Sequence, residues 1–329
     1  MLWSYLVHIG FNMWREENGP VRAEYTNASS KMRFDKRLWD DMLTFAKDNG
    51  INALVMDLGE GVRYDSHPEI GAEGAWTVSE LKAELKKMRE MGITPIPKLN
   101  FSATHDEWMG EYSRMVSSKI YYGVVKDLIE EVCDIFEQPE MFHLGMDEEK
   151  QPYVSFWGYN VIRNGDFWWK DFLYMVDILE RQNVRPWLWS DRVWEHPKDF
   201  INKMPRSVIQ SNYYYGSFYD RGEIEKYASA YKLLDDHGFD QMPCGMNLNI
   251  IRTVKHCMDV ISEEHLKGFL QTSWQPTLDK RRYAHFAAMD YLGQGRRGYE
   301  GDEAMFCGWK GVGQHFASYT EKDGLDVIV

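Results

Sequence analysis

The sequence predicts an α/β protein folded as a single (β/α)8 TIM barrel. Three observations predict it. Short runs rich in β-branched and aromatic residues alternate with amphipathic helical stretches along the chain. The alternation completes eight units in strict order, which favours closure over an open doubly wound sheet. The loops after the first four strand segments are long, whereas several helix-to-strand connections are only a few residues, so the long loops gather on one face. A chain of 329 residues is an ordinary length for one such barrel. No linker rich in Pro, Gly or Ser divides it. Residues 1–329 are therefore expected to form one domain, with the barrel over about 1–292 and a Gly-rich tail, 293–329, packed on it.

The units follow in order. The first strand is expected over 3–10, then a long loop, then a helix over 35–49 stopped by Gly50. The second strand spans 53–58; its helix, 77–91, opens with the capping-box pattern Thr77-x-x-Glu80 and ends at Gly92. The third pair is 94–99 and 119–136. The fourth is 141–145 and 168–182, where Trp168 and Trp169 read as core. The fifth strand, 185–190, precedes a short helix near 198–203. The last three pairs are 208–212 with 221–238, 241–246 with 251–263, and 267–273 with 281–292.

Composition narrows the function. With 38 Lys and Arg against 51 Asp and Glu, the net charge is −13, which repels nucleic acid and anionic membranes. The one short basic cluster, Lys280, Arg281 and Arg282, reads as the solvated start of a helix. No apolar run reaches membrane length. The chain carries 13 Trp and 19 Tyr, whose flat apolar faces and polar edges suit sugar rings. Cys133, Cys244, Cys257 and Cys307 form no CxxC and no zinc spacing, so they read as buried thiols. No signal peptide precedes the first strand; the compartment stays open, secreted or periplasmic if a leader was removed and cytoplasmic otherwise. Oligomeric state is likewise open.

In barrels the active site lies at the C-terminal ends of the strands. Those ends offer, in order, His8, Asn12 and Arg15; Asp57 and Glu60; Lys98, Asn100 and His105; His143, Asp147, Glu148 and Glu149; Trp189, Asp191 and Trp194; Asn212 and Tyr213–Tyr215; Asn247 and Asn249; Trp274 and Gln275. Carboxylates, amides and many aromatics have the makeup of a carbohydrate pocket. No metal is expected, because His8 lacks the HxH partner of metal-dependent amidohydrolase barrels, and no cofactor is expected. No Gly-rich phosphate loop precedes the last helices.

The fourth strand ends in Gly145, Met146, Asp147, Glu148 and Glu149. Simple alternation places His143, Gly145 and Asp147 on one side. A turn at Gly145 would instead bring Asp147 and Glu148 together into the pocket mouth. Two neighbouring carboxylates cannot both ionise freely, so one is expected to keep its proton near neutral pH and serve as an acid. His143 is expected to pack beneath Asp147 or hydrogen-bond to it. Glu149 reads as exposed or ion-paired, with a role as reserve acid. Asp57 and Glu60 could bind hydroxyls or pair with Arg63. The seventh strand, "QMPCGMNLN", carries no carboxylate at its useful end, so the usual two-carboxylate displacement lacks its partner. A substrate that supplies its own nucleophile removes that need.

The segment "HLGMDE", 143–148, resembles the His-x-Gly-Gly-Asp-Glu pattern of glycoside hydrolase family 20, the β-N-acetylhexosaminidases, with Met146 in place of the second Gly. The resemblance implies an exo-acting, retaining, substrate-assisted hexosaminidase acting on an oligosaccharide or glycoconjugate. It implies that Asp147 orients the substrate's 2-acetamido group and that Glu148 protonates the leaving oxygen and then activates water. It further implies sugar-binding roles for Trp189 and Asp191 in "WLWSD", for Trp274 and Gln275 in "LQTSWQ", for Arg15 after the first strand, and for a Tyr among Tyr213 and Tyr214; His143 belongs to the same motif. The third-strand Pro-Gly-His segment of that family is absent, and "PKLNFSATHDEW" stands there with His105 as its substitute. Two alternatives remain: a glycosidase for a non-acetamido sugar, using Asp191 or Asp57 as second carboxylate, and a catalytically silent carbohydrate-binding barrel.

Overall fold

The computed structural model describes residues 1–14, 27–149, 161–216 and 221–298. Arg15, Cys307 and most of the expected tail lie outside the described residues.

Eight parallel strands form one sheet: β1 (Leu2–His8), β2 (Ala53–Asp57), β3 (Thr94–Lys98), β4 (Met141–His143), β5 (Arg185–Trp189), β6 (Ile209–Ser211), β7 (Cys244–Met246) and β8 (Gly268–Thr272). Their spatial order is β6-β5-β4-β3-β2-β1-β8-β7. Single bridges from Gln210 to Gln241 and from Tyr213 to Cys244 close β6 onto β7. There the Met242 amide donates to the Gln210 carbonyl at 2.9 Å and the Cys244 amide to the Asn212 carbonyl at 3.0 Å. The sheet is thus a barrel.

A principal helix follows each strand: α1 (Lys36–Asp48), α2 (Val78–Glu90), α3 (Lys119–Ile135), α4 (Asp166–Arg181), α5 (Pro197–Lys203), α6 (Ser229–Asp236), α7 (Asn249–Val260) and α8 (Arg282–Arg296), with short helical turns at Arg192–Glu195 and Arg221–Glu223 besides. The ends obey local chemistry. Asp35 caps α1 by accepting from the Arg37 and Leu38 amides. Thr77 and Glu80 form the expected capping box of α2. A π-helical turn, Ile224–Ala228, leads into α6. The last helix outruns its expected end at 292, because Gly293 and Gly295 serve close packing: an added Cβ would lie 3.2 Å from Asn49 Oδ1 and 3.3 Å from Val254 Cγ2 respectively. Among the described residues no helix is long and apolar enough to cross a membrane.

The core has two parts. The larger lies between strands and helices and includes Trp39, Trp168, Trp169, Phe172 and Tyr231. The smaller fills the barrel with Leu6, Val55, Ile96, Met141, Trp187 and Ile209. Each such side chain contributes roughly 1.5–3 kcal/mol by leaving water. Strand alternation then sets the layer above. Two residues on from Leu6, Val55, Ile96, Met141 and Trp187 come His8, Asp57, Lys98, His143 and Trp189. The upper barrel is therefore polar and buried. Lys98 Nζ donates to Asp57 Oδ2 at 2.6 Å, and His8 Nδ1 lies 3.2 Å from the same oxygen. Burial opposes the Asp57 charge, but the Lys98 ammonium and His8 outweigh it and hold the carboxyl down to about 2. Glu60 accepts from the Phe11 amide at 2.7 Å and the Asn12 amide at 3.0 Å, and so shapes the loop after β1. Asp57 and Glu60 thus use these partners and not Arg63. Cys133, Cys244 and Cys257 are buried free thiols, as their spacing suggested.

Candidate active site

Strand β4 stops in an abrupt turn. Gly145, Met146 and Glu148 have φ of 72°, 70° and 58°, all left-handed. Glycine is required at 145 on two grounds. Its φ favours it, and a Cβ there would stand 1.9 Å from Asn100 Oδ1. Met146 adopts the left-handed conformation at a cost of ~1–2 kcal/mol. Its buried thioether compensates, lying 3.6 Å from Arg163 Nη2. The turn ends strand alternation, so Asp147 and Glu148 do not face opposite ways.

Asp147 is 5% exposed and accepts from Asn100 Nδ2 at 3.0 Å. Its main-chain carbonyl accepts from the hydroxyls of Ser102 and, at 3.3 Å, of Thr104. The Glu148 side chain is 26% exposed, and its Oε2 lies 3.4 Å from His105 Nε2. One ligand atom each of His105, Asp147 and Glu148 lies within 4.8 Å of the others. The Glu148 amide donates to Asp191 Oδ2 at 3.3 Å, tying β5 to this turn. His105 is buried and shares a 2.8 Å hydrogen bond with the Thr104 hydroxyl. Burial lowers its pKa, against the pull of the Asp147 and Asp191 carboxylates.

Glu149 goes the other way. Its carboxylate accepts from Arg163 Nε at 3.0 Å, is also bound by Arg163 Nη2, and accepts from the Ala103 amide at 2.9 Å. Arg163 Nη1 also binds Asp171 at 3.1 Å. Of the three acids in the run, Glu149 is therefore a buried structural ion, unavailable as the reserve acid.

Aromatic rings build the adjoining wall. Trp189 lies 6.0 Å from Trp274 and 5.6 Å from Tyr213, centroid to centroid, and Tyr213 stacks on Tyr215 at 5.4 Å. The Trp189 indole N–H and the Tyr213 hydroxyl are buried with no hydrogen-bond partner. Leaving such a donor unpaired costs ~1–3 kcal/mol. Burial, and then the charges of Asp191, Glu148 and Asp147, push the Tyr213 hydroxyl pKa well up, so it remains a donor beside those carboxylates. Gln275 is half-buried next to Trp274.

Two residues sit otherwise than the sequence suggested. Tyr214 turns out of the barrel: its hydroxyl donates to Glu223 at 2.8 Å and its ring stacks on Tyr227. Neighbours on an extended segment point to opposite faces, so Tyr213 and Tyr214 cannot share the pocket. His143 does not bond Asp147. Its Nδ1 accepts from the Gly145 amide at 3.0 Å, between the rings of Trp187 and Trp189. Burial and then Lys98 keep this imidazole neutral, so its proton is on Nε2. Asn100 stood on the sequence rim with no role assigned. Arg163, which binds Glu149, carried no sequence signal.

No family model and no curated protein matches the sequence. Solved structures match the fold. A β-N-acetylhexosaminidase from Bacteroides fragilis superposes with a TM-score of 0.63 at 14% identity, over 96% of this chain and 70% of that one. The Flavobacterium johnsoniae chitobiase gives 0.66 at 13%, over 87% of this chain and 50% of that one. A Vibrio harveyi exo-β-N-acetylglucosaminidase in complex with N-acetylglucosamine gives 0.57 at 13%, covering 90% and 56%. The chain thus spans between half and 70% of these proteins' lengths. At such identity the likeness is one of fold: a (β/α)8 barrel shared with these proteins.

Proposed function

We propose that this protein is a glycoside hydrolase, an exo-acting, retaining β-N-acetylhexosaminidase that uses its substrate's acetamide as nucleophile. The observation that carries the proposal is that carboxylate oxygens of Asp147 and Glu148 lie within 4.8 Å of each other and of a His105 ring nitrogen, while Glu149 is bound elsewhere. Both acids rise from one strand end, whereas a double displacement needs two carboxyls flanking the scissile bond.

In this reading Asp147, anchored by Asn100, accepts the acetamide N–H and turns the carbonyl oxygen toward the anomeric carbon. The Tyr213 hydroxyl and the Trp189 indole N–H are the available partners for that oxygen and for ring substituents. The carbonyl oxygen bonds to the anomeric carbon as the glycosidic bond breaks, and the departing oxygen takes the Glu148 proton. Glu148, now ionised, removes a proton from water as that water opens the oxazolinium ring, and the configuration is retained. His105 acts as a positioning residue on Glu148. Trp274 and Gln275 line the sugar's far side, and the substrate is an oligosaccharide or glycoconjugate. Bacteroides fragilis and Vibrio harveyi proteins of this fold bear hexosaminidase names, and the latter holds N-acetylglucosamine, which supports the choice of sugar. Asp57 is a poor second carboxylate, because Lys98 and His8 hold it below the rim.

Purified protein should release nitrophenol from an aryl β-N-acetylglucosaminide or galactosaminide, and N-acetylglucosamine thiazoline should inhibit it. Turnover of an aryl glucoside lacking the acetamide at a comparable rate would point to Asp191 as second carboxylate. Sugar binding without turnover would point to a silent binding barrel.

A further inference from the structure

The segment between β8 and α8 carries Trp274 on strained backbone. Trp274 has φ of 51°, a left-handed conformation that a bulky residue adopts only where its surroundings impose it. Its ring stands 6.0 Å from Trp189 and 5.8 Å from His8, centroid to centroid. Relaxing the backbone to negative φ would swing the indole away from this wall. The restraint therefore comes from outside the turn.

Anchors flank Trp274 on both sides. Before it, the Ser273 hydroxyl lies 2.7 Å from the Tyr5 hydroxyl. After it, the Pro276 carbonyl lies 3.0 Å from His285 Nε2, and the Thr277 hydroxyl donates to the His8 carbonyl at 2.6 Å. His285 joins the first two anchors, because its Nδ1 lies 2.7 Å from the same Tyr5 hydroxyl. Burial keeps the imidazole neutral. A carbonyl only accepts, so Nε2 carries the proton and Nδ1 is the acceptor. The Tyr5 hydroxyl then donates to Nδ1, and the Ser273 hydroxyl donates to the Tyr5 oxygen. Tyr5 and His285 are fully buried, so none of these bonds can be exchanged for one to bulk water. One ring in the first turn of α8 thus ties β1 to both sides of the strained residue.

We propose that His285 is a positioning residue for the sugar-binding wall: through Tyr5 and Ser273 on one side and Pro276 on the other, it clamps the turn that aims the Trp274 ring. It touches no substrate itself. The consequence for sugar rests on the hexosaminidase reading; the placement of the ring does not.

The test labels the protein with 5-fluorotryptophan and assigns the Trp274 fluorine resonance by its loss in Trp274→Phe. Tyr5→Phe removes only the hydroxyl that links His285 to Ser273. His285→Leu removes both bonds of the ring, and His285→Gln keeps a donor for Pro276. In Tyr5→Phe and His285→Leu the Trp274 resonance should shift or broaden. KM for the aryl β-N-acetylglucosaminide should rise about 3- to 10-fold with kcat within about twofold, as for the loss of a binding contact made equally in ground and transition states. His285→Gln should fall between wild type and His285→Leu. A general loss of folded enzyme would instead lower apparent kcat and leave KM unchanged. Tyr5→Phe keeps the test decisive if His285→Leu does not fold. A wild-type resonance in Tyr5→Phe would overturn the clamp, and a shifted resonance with unchanged KM would overturn its role in sugar binding. A wild type inactive on the aryl glycoside would remove the hexosaminidase reading, and the resonance would then decide the placement of the ring by itself.

Discussion

Asn100 holds Asp147 from the neighbouring strand end: its Nδ2 donates to Asp147 Oδ1 at 3.0 Å, while its Oδ1 accepts from the Ser102 amide at 3.0 Å and the Met146 amide at 3.2 Å. The two accepted bonds orient the amide, so only N–H can face the acid. Asn100→Ala should therefore lower kcat on an aryl β-N-acetylglucosaminide by about 10- to 1,000-fold, the range seen when one preorganised polar group is removed. Asn100→Asp should do no better, since it places a like charge against Asp147. Gly145→Ala should cost still more, because its Cβ would collide with Asn100. Kinetics with melting curves will separate the cases; an Asn100→Ala enzyme of full activity would remove the anchor from the mechanism.

Adjacent acids should answer mutation differently. Glu148→Gln should reduce kcat ~10²–10⁴-fold, the usual worth of a general acid, with little change in stability. Glu149→Gln should act on the fold. It breaks a buried ion pair with Arg163, which costs roughly 3–5 kcal/mol when one partner is removed. Urea unfolding beside activity measures both, and a stable, inactive Glu149→Gln would reverse the assignment.

Stability should fall in acid through buried histidines. His285 Nδ1 meets the Tyr5 hydroxyl at 2.7 Å and its Nε2 donates to the Pro276 carbonyl at 3.0 Å, an arrangement for neutral imidazole that brackets Trp274. Burial lowers its pKa to about 4. Its folded pKa lies below the unfolded one of about 6.5, so the stabilisation is whole above that pH and is lost as pH falls toward 4, by about 3 kcal/mol. His8, His105 and His143 are shifted in the same direction. Asp57 adds a second loss between about 3.8 and 2. Denaturant midpoints from pH 7.5 to 4.5 should drop steadily, and His285→Gln should flatten the slope. A flat wild-type profile would contradict it.

Metal should hinder. His105, Asp147 and Glu148 present atoms close enough to hold one cation. An ion there would occupy both carboxylates and leave no proton donor. Chelator should therefore leave turnover intact, and millimolar zinc should inhibit in a manner relieved by EDTA. Activation by zinc would mean that the three residues form a metal centre.

The fold and the location of the acids were legible because their signals are local. Strand and helix periods, the Thr77–Glu80 box and the order of eight units need only neighbouring residues, and strand ends of a barrel face one rim. The aromatic candidates Trp189, Tyr213 and Trp274 followed from that placement. The direction of each carboxylate did not. Left-handed backbone at Gly145, Met146 and Glu148 cancels the alternation that the sequence implies. That backbone depends on Asn100, 45 residues earlier than Gly145, and on Arg163 drawing Glu149 away. Tyr214 and Glu149 likewise take their roles from partners elsewhere in the chain. The sequence by itself determined the barrel and the rim that bears the acids. Only tertiary packing decided which acids come together, because hydrogen bonds between strand ends, not residue order, set where a side chain points.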